Sequence, residues 1–216
     1  MQQPKSIFRR VANWKDLHFY RKSDALYQLT VVFCHRFLPS HGDRTVDQMI
    51  QAARSGKQNI VEGSEDGKTS TEMELKLLNV ARSSLQELRE DYRDYLGSHG
   101  LTLWNSSHPR YNDMVAFCRN HNDFDDYADM AEKIDDEVFA NLALTLCHQT
   151  DVMMTSYLHY LEQTFVTEGG IKERMHAART GYRQEQDARF HALEQENLRL
   201  KAEIARLQAL LNTRKN

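Results

Sequence analysis

The sequence predicts an all-α protein: an up-and-down four-helix bundle followed by a separate C-terminal helix. Three observations carry that prediction. Apolar residues recur at helical spacing through four long stretches. Glycine and proline fall almost entirely between those stretches, with only Gly56 and Gly181 inside a strongly helical pattern. No segment alternates apolar and polar residues over the length of a strand.

The first helix is expected over about Trp14–Leu38, with Leu17, Tyr20, Leu26, Tyr27, Cys34, Phe37 and Leu38 as its apolar stripe. Phe19, Leu29, Val32 and Phe33 lie outside that stripe, and this extra width predicts that the bundle self-associates through helix faces. The second helix spans about Arg44–Glu62, with the stripe Val46, Met49, Ile50, Ala53, Ile60 and Val61. Gly63 is expected to stop it in the left-handed C-cap conformation. The third runs from about Thr71 to Leu96 on Leu77, Leu78, Ala81, Leu85, Leu88, Tyr92 and Tyr95, and Thr69–Glu72 has the hydroxyl-to-carboxylate spacing of a capping box. The fourth, about Asp135–Phe165, places Val138, Leu142, Leu146, Met153, Tyr157 and Leu161 on one face. Short links favour antiparallel neighbours. Residues 14–168 form the expected bundle, and residues 97–134 read as a polar insertion, rich in His, Asp and Asn, with one short helix near Tyr111–Asn120.

Residues 171–216 form the last helix, with a heptad pattern from about 190 onward. Phe190, Asn197, Ile204 and Leu211 occupy a, while Leu193, Leu200 and Leu207 occupy d. An asparagine at a single a position sets register and favours two strands, because its amide pairs across the seam in one alignment only. Folding back on the chain's own bundle is the alternative use of the same stripe.

Charge is unevenly spread. Residues 1–36 carry seven Lys/Arg and two Asp/Glu, residues 101–169 carry three and twelve, and residues 170–216 carry ten and six. A basic arm (1–13), an acidic middle and a mildly basic tail suit a self-associating protein or one with a polyanionic partner. The three cysteines, Cys34, Cys118 and Cys147, form no C-x-x-C pair and sit in apolar helical surroundings, which points to buried thiols in a reducing compartment. No secretory h-region and no apolar run long enough to span a membrane occurs, so a cytoplasmic location is expected.

Two stretches carry a family resemblance: Gln48–Gly63, with the spacing Q-φ-x-x-A-A-x-S-x-x-x-N-I-x-E-G, and Ala81–Leu88, A-R-x-S-L-x-E-L. Over about Leu17–Leu96 the chain resembles the four-helix-bundle proteins encoded by intervening sequences of large-subunit ribosomal RNA genes. That family includes the accessory variability determinant of diversity-generating retroelements. The resemblance implies a non-enzymatic homo-oligomer, a ring of five, that acts as a scaffold for RNA or DNA or a reverse transcriptase. It also places Asn59, Glu62, Gly63 and Arg82 at family positions. Where the family carries two arginines before the Ala-Ala pair, this chain has Ile50 and Gln51, and the 97–134 segment departs from the family's direct helix connection.

The candidate nucleic-acid contacts are Arg9, Arg10, Lys15, Arg21 and Lys22, interleaved with Trp14 and Tyr20, together with Arg54 and Lys57 on the polar side of the second helix. A carboxylate at a helix C-terminus is disfavoured by about a few tenths of a kcal/mol, so a cation partner for Glu62 is expected, with Arg82 the candidate. A di-metal carboxylate centre needs two Glu-x-x-His pairs, and only Glu173–His176 is present. Cys118-x-x-His121 lacks the second half of a zinc site. No metal or cofactor is therefore expected. One enzymatic reading stays open. Arg93 and His99 fit the R-x4–6-H spacing of HEPN ribonucleases, where histidine moves a proton and arginine stabilises the phosphate. Arg36 and His41 fit it too, but Pro39 breaks any helix joining that pair. An adaptor that docks through its coiled coil is the third reading.

Overall fold

The computed structural model describes residues 12–39 and 44–213, and among them every regular element is helical. The chain divides after Gly170 into two compact units. The first contains α1 (His18–Phe37), α2 (Arg44–Asp66), α3 (Thr71–Ser98), α4 (Tyr111–Asn120), α5 (Ala128–Ala131) and α6 (Asp136–Glu168). The second is the single helix α7 (Ile171–Thr213). Short 3-10 turns cover Trp14–Asp16 and Phe124–Asp126.

Local chemistry sets the helix ends. Leu38 is extended (φ −108°, ψ 153°), as the residue before Pro39 must be, and α1 stops there. Ser70 caps α3 by accepting from the Met73 amide at 3.2 Å. The cap therefore lies one residue beyond the expected box, and Met73 at the third helical position cannot complete one. Gly100 (φ 62°) closes the other end of α3: the Leu101 amide donates to Leu96 O at 2.9 Å and the Gly100 amide to Gly97 O at 3.3 Å. This is the Schellman arrangement that a left-handed glycine permits. Asp135 caps α6 through the Val138 amide at 2.8 Å.

Gly63 does not stop α2. The helix continues through it to Asp66, and Gly63 is buried with its missing Cβ 3.3 Å from Leu77 Cβ. Its role is close approach between α2 and α3. Because Glu62 then lies inside the helix, it needs no C-terminal counter-charge; it accepts from Gln58 Nε2, one turn back, at 3.2 Å. Arg82 instead crosses to α6 and pairs with Asp151 at 2.7 Å. Asn59 is also used locally, donating to the Ser55 carbonyl at 2.9 Å.

The four long helices α1, α2, α3 and α6 pack in a ring, α1 on α2, α2 on α3, α3 on α6 and α6 on α1. Phe33 stands at the centre, with ring centroids of Tyr95, Tyr92, Phe37 and Phe139 at 4.8, 4.9, 5.3 and 5.4 Å. The Tyr92 hydroxyl, fully enclosed, donates to Thr30 Oγ1 at 3.0 Å, and burial pushes its pKa well up. Phe19, Leu29 and Phe33 are all buried and Val32 is half-buried against the same core. The extra width of the first helix is thus consumed within the chain, between α2 on one flank and α6 on the other. It offers no reason for self-association.

Two further expectations change. α6 is buried on more than one face, because Phe139, Ala140, Ala143 and Cys147 are enclosed as well as Leu142 and Leu146. Residues 97–134, polar in composition, also contribute to the core: Trp104, Cys118, Tyr127 and Ala131 are buried. The polarity of this segment is spent inward. Glu137 accepts from Trp104 Nε1 and the Thr102 amide, each at 2.9 Å. Asn141 accepts from the Trp104 amide at 2.8 Å and donates to Thr102 O at 2.9 Å. These bonds satisfy a loop backbone that would otherwise be costly to cover.

Candidate functional site

The cations expected to meet nucleic acid stand in different surroundings. Arg9 and Arg10 lie outside the described residues. Lys22 is 2 % exposed, and its ammonium donates to the Cys118 carbonyl and, at 2.7 Å, to the His121 carbonyl. Burial lowers its pKa, which the nearby Cys118 and Asp126 only partly oppose. Lys22 is therefore a tether that holds the end of α4 to α1, its ammonium already engaged by two carbonyls. Arg21 forms a two-pronged ion pair with Asp123, its Nε donating at 2.7 Å, and this holds the Asp123 carboxyl below its usual range. Lys57 pairs with Asp24 at 3.0 Å and lies 4.3 Å from the centre of the Tyr27 ring. Lys15 and Arg54 are exposed and make no ion pair among the described residues. Trp14 and Tyr20 pack edge to face at 4.6 Å, so they serve each other before any base.

The described residues of the alternative ribonuclease reading make contacts of their own. Arg93 bonds Glu90 at 3.4 Å, while His99 stacks on Tyr95 at 4.0 Å and shares a hydrogen bond with the Tyr95 carbonyl. Arg36 is held by the Ala131 carbonyl, and His41 lies outside the described residues. Cys118 is enclosed, with burial pushing its thiol up to about 12, which disfavours the thiolate a metal needs. His121 stacks on Phe117. Among the described residues no group of three His, Cys, Asp or Glu side chains stands ready for a metal ion.

What the fold does build is a cleft of about 920 Å³ between α3, α4, α6 and the loop that carries Trp104. Its floor is aliphatic, formed by Leu103, Met114, Val115, Leu144, Val152 and Met153. Its polar wall is cationic or neutral: Arg89 and Arg93 from α3, Arg119 from α4, His18 and the tethered Lys22 from α1, and His148 from α6. No carboxylate lines it among the described residues. Arg89 and Arg93 are four apart and so share a helix face. They also share one counter-charge, Glu90, at 3.6 and 3.4 Å, and the same oxygen accepts from Gln86 Nε2 at 2.7 Å. Arg119 makes no ion pair among the described residues. Two buried polar atoms in the wall lack any partner, Arg89 Nε and Gln149 Oε1. Gln149 is oriented by its own amide, which donates to Val115 O at 3.0 Å.

Sequence reasoning missed this cleft. Arg89 and Arg93 stand four apart in the sequence, but nothing there says that α4 sets Arg119 beside an aliphatic floor drawn half from α6. Comparison of the chain with family models, curated proteins and solved structures gave no match. No helix among the described residues is long and apolar enough to cross a membrane.

On α7, Phe190 and Leu193 are 61 % exposed, Leu200 and Ile204 54 % and Leu207 51 %. Asn197 is exposed on the same helix. The side chain of Leu211 lies outside the described residues.

Proposed function

We propose that this protein is a non-enzymatic, self-associating scaffold: a four-helix bundle, elaborated by residues 97–134, joined to a second copy through α7. The observation that carries the reading is the heptad stripe of α7, whose five apolar a and d side chains are all more than half exposed within one chain. Such a stripe in water calls for a partner. The occupant is another copy of the same helix, because the pattern is self-complementary. In a parallel, in-register pair, Arg189 and Glu194 occupy facing g and e positions, as do Glu196 and Lys201. Asn197 meets its own counterpart across the seam and favours two strands over the ring of five that the family resemblance implies.

That resemblance extends the proposal to RNA or DNA, or a reverse transcriptase, as what the scaffold holds. Of the five described candidate cations, Lys15 and Arg54 are then the ones left for phosphate, since Lys22, Arg21 and Lys57 are already engaged. The test is the mass of the full-length protein by light scattering. Wild type is expected as a dimer, and Leu200→Lys combined with Leu207→Lys as a monomer with unchanged helical signal from the first unit. A double variant that keeps the wild-type mass sinks the proposal. Asn197→Ile should raise the melting temperature of the assembly and broaden its strand number, since the buried amide costs stability and confers register.

A further inference from the structure

We propose that the cleft between α3, α4 and α6 binds an organic anion: a carboxylate or phosphate head on an aliphatic body. Three features converge on that chemistry. First, the wall presents three guanidinium groups and two imidazoles with no carboxylate among the lining residues, although much of the lining comes from the strongly acidic stretch 101–169. Residues 101–169 hold twelve acids, and their absence from this lining concentrates positive potential in one place. Guanidinium forks match carboxylate and phosphate oxygens in pairs. Arg89 and Arg93 compete for one oxygen of Glu90, and Arg119 has no acid, so the wall retains donors for a head group.

Second, the floor fixes the nature of the body. It is built from leucine, valine and methionine, and the large aromatic beside it is already engaged: Trp104 stacks on His108 at 4.0 Å and has the Arg110 guanidinium 4.5 Å from its ring. A flat ring finds one further aromatic in the lining, the half-buried Tyr111, whereas an alkyl chain finds adaptable methionine and branched side chains along the whole floor. A single such face falls short of the run of stacking platforms that single-stranded nucleic acid uses along a cationic groove. Third, about 920 Å³ is the size of a small-molecule pocket. Two of its lining residues, Arg89 and Gln149, each also carry one buried polar atom without a partner, Nε and Oε1.

The experiment is titration calorimetry on the full-length protein with four probes: decanoate, decyl phosphate, decanol and adenosine monophosphate. Decanoate or decyl phosphate should saturate one site per chain, and the tighter of the two identifies the head group. Decanol and the nucleotide should bind at least tenfold more weakly, and a nucleotide that matches the alkyl anions overturns the assignment. Arg93→Gln with Arg119→Gln, both exposed positions, should lose tenfold or more in affinity with unchanged circular dichroism. Val152→Asp, at a floor position that is 50 % exposed, should do the same by adding the wrong charge. The Leu200→Lys, Leu207→Lys variant separates this site from the α7 stripe and should keep full affinity. Binding that vanishes in that variant, binding indifferent to the arginines, or no saturable heat from either anion each overturns the proposal.

Discussion

α6 and α7 are both long helices with apolar residues at regular spacing, of 33 and 43 residues, yet they end in opposite conditions. α6 buries twelve side chains, while the described side chains of α7 include none that is buried. The difference teaches that periodicity announces a face without saying what covers it. In α6 three other helices, α1, α3 and α4, surround the stripe, and the enclosed surface exceeds a single face. In α7 the stripe is narrow, strictly a and d, with charges at most flanking positions. That is the width one partner helix covers, not the width a bundle core requires.

The sharpest test of this contrast exchanges phenylalanine for alanine in each helix. Phe139 is fully buried in the aromatic cluster, so Phe139→Ala should destabilise the first unit by about 3–5 kcal/mol in urea unfolding. Phe190→Ala should leave that transition within about 0.5 kcal/mol and weaken only self-association. Equal effects on the first transition would erase the distinction.

The next effect is alkaline. Burial pushes Cys118, Cys147 and Tyr95 up to about 12, with Cys147 wholly enclosed. These groups stay protonated in the fold after the unfolded chain has begun to lose its protons. The stabilisation is complete below about pH 9, where thiols begin to titrate when unfolded, and it fades as pH rises toward 12. At pH 10.5 each buried thiol should cost on the order of 2 kcal/mol. Urea midpoints of the first unit measured at pH 8 and 10.5 should record that fall. A flat profile would show these thiols to be accessible.

Lys22→Met is expected to cost about 1–3 kcal/mol, because the carbonyls of Cys118 and His121 lose their donor. Lys15→Gln, an exposed change nearby in sequence, should move stability by less than about 0.5 kcal/mol. Thermal melts of the pair measure the difference between a tether and a surface charge. The smallest effect concerns the two glycines inside helices. At Gly56 an added Cβ would meet Leu85 Cδ2 at 2.8 Å, so Gly56→Ala should cost about 1–2 kcal/mol by overpacking α2 against α3. At Gly181 it meets nothing within 4 Å, and Gly181→Ala should favour α7 by about 0.5–1 kcal/mol through helix propensity alone. Stabilisation at both sites would mean that α2 and α3 are less closely packed than the Gly56 geometry requires.

Helices, their order and most of the core were legible because they follow from local rules: apolar spacing near 3.6 residues, proline at the end of α1, glycine after α3 and aspartate before α6. The helix predicted near Tyr111–Asn120 lies at those residues. What failed were inferences about partners. Gly63 reads locally as a stop signal, but close packing on Leu77 explains a glycine there equally well, and no local pattern separates the two. Lys22 belongs to a basic run in the sequence and to a buried hydrogen-bonded tether in the fold. Glu62 and Arg82 do not meet as a helix-end position and the family resemblance led one to expect: each has another partner.

The sequence by itself determined that this protein is helical, where its long helices begin and end to within a few residues, and that its last helix carries a narrow apolar seam. These are short-range properties, set by backbone sterics, capping groups and the period of side chains along one axis. Only the tertiary structure decided which charges are neutralised, that the polar segment 97–134 contributes to the core, and that arginines from α3 and α4 frame an aliphatic floor. Those outcomes depend on residues brought together across long sequence separations, such as Lys22 with Cys118, Arg82 with Asp151 and Arg89 with Arg119. The energy of a charge or a polar group is set by what surrounds it in space, and the chain order alone does not contain that neighbourhood.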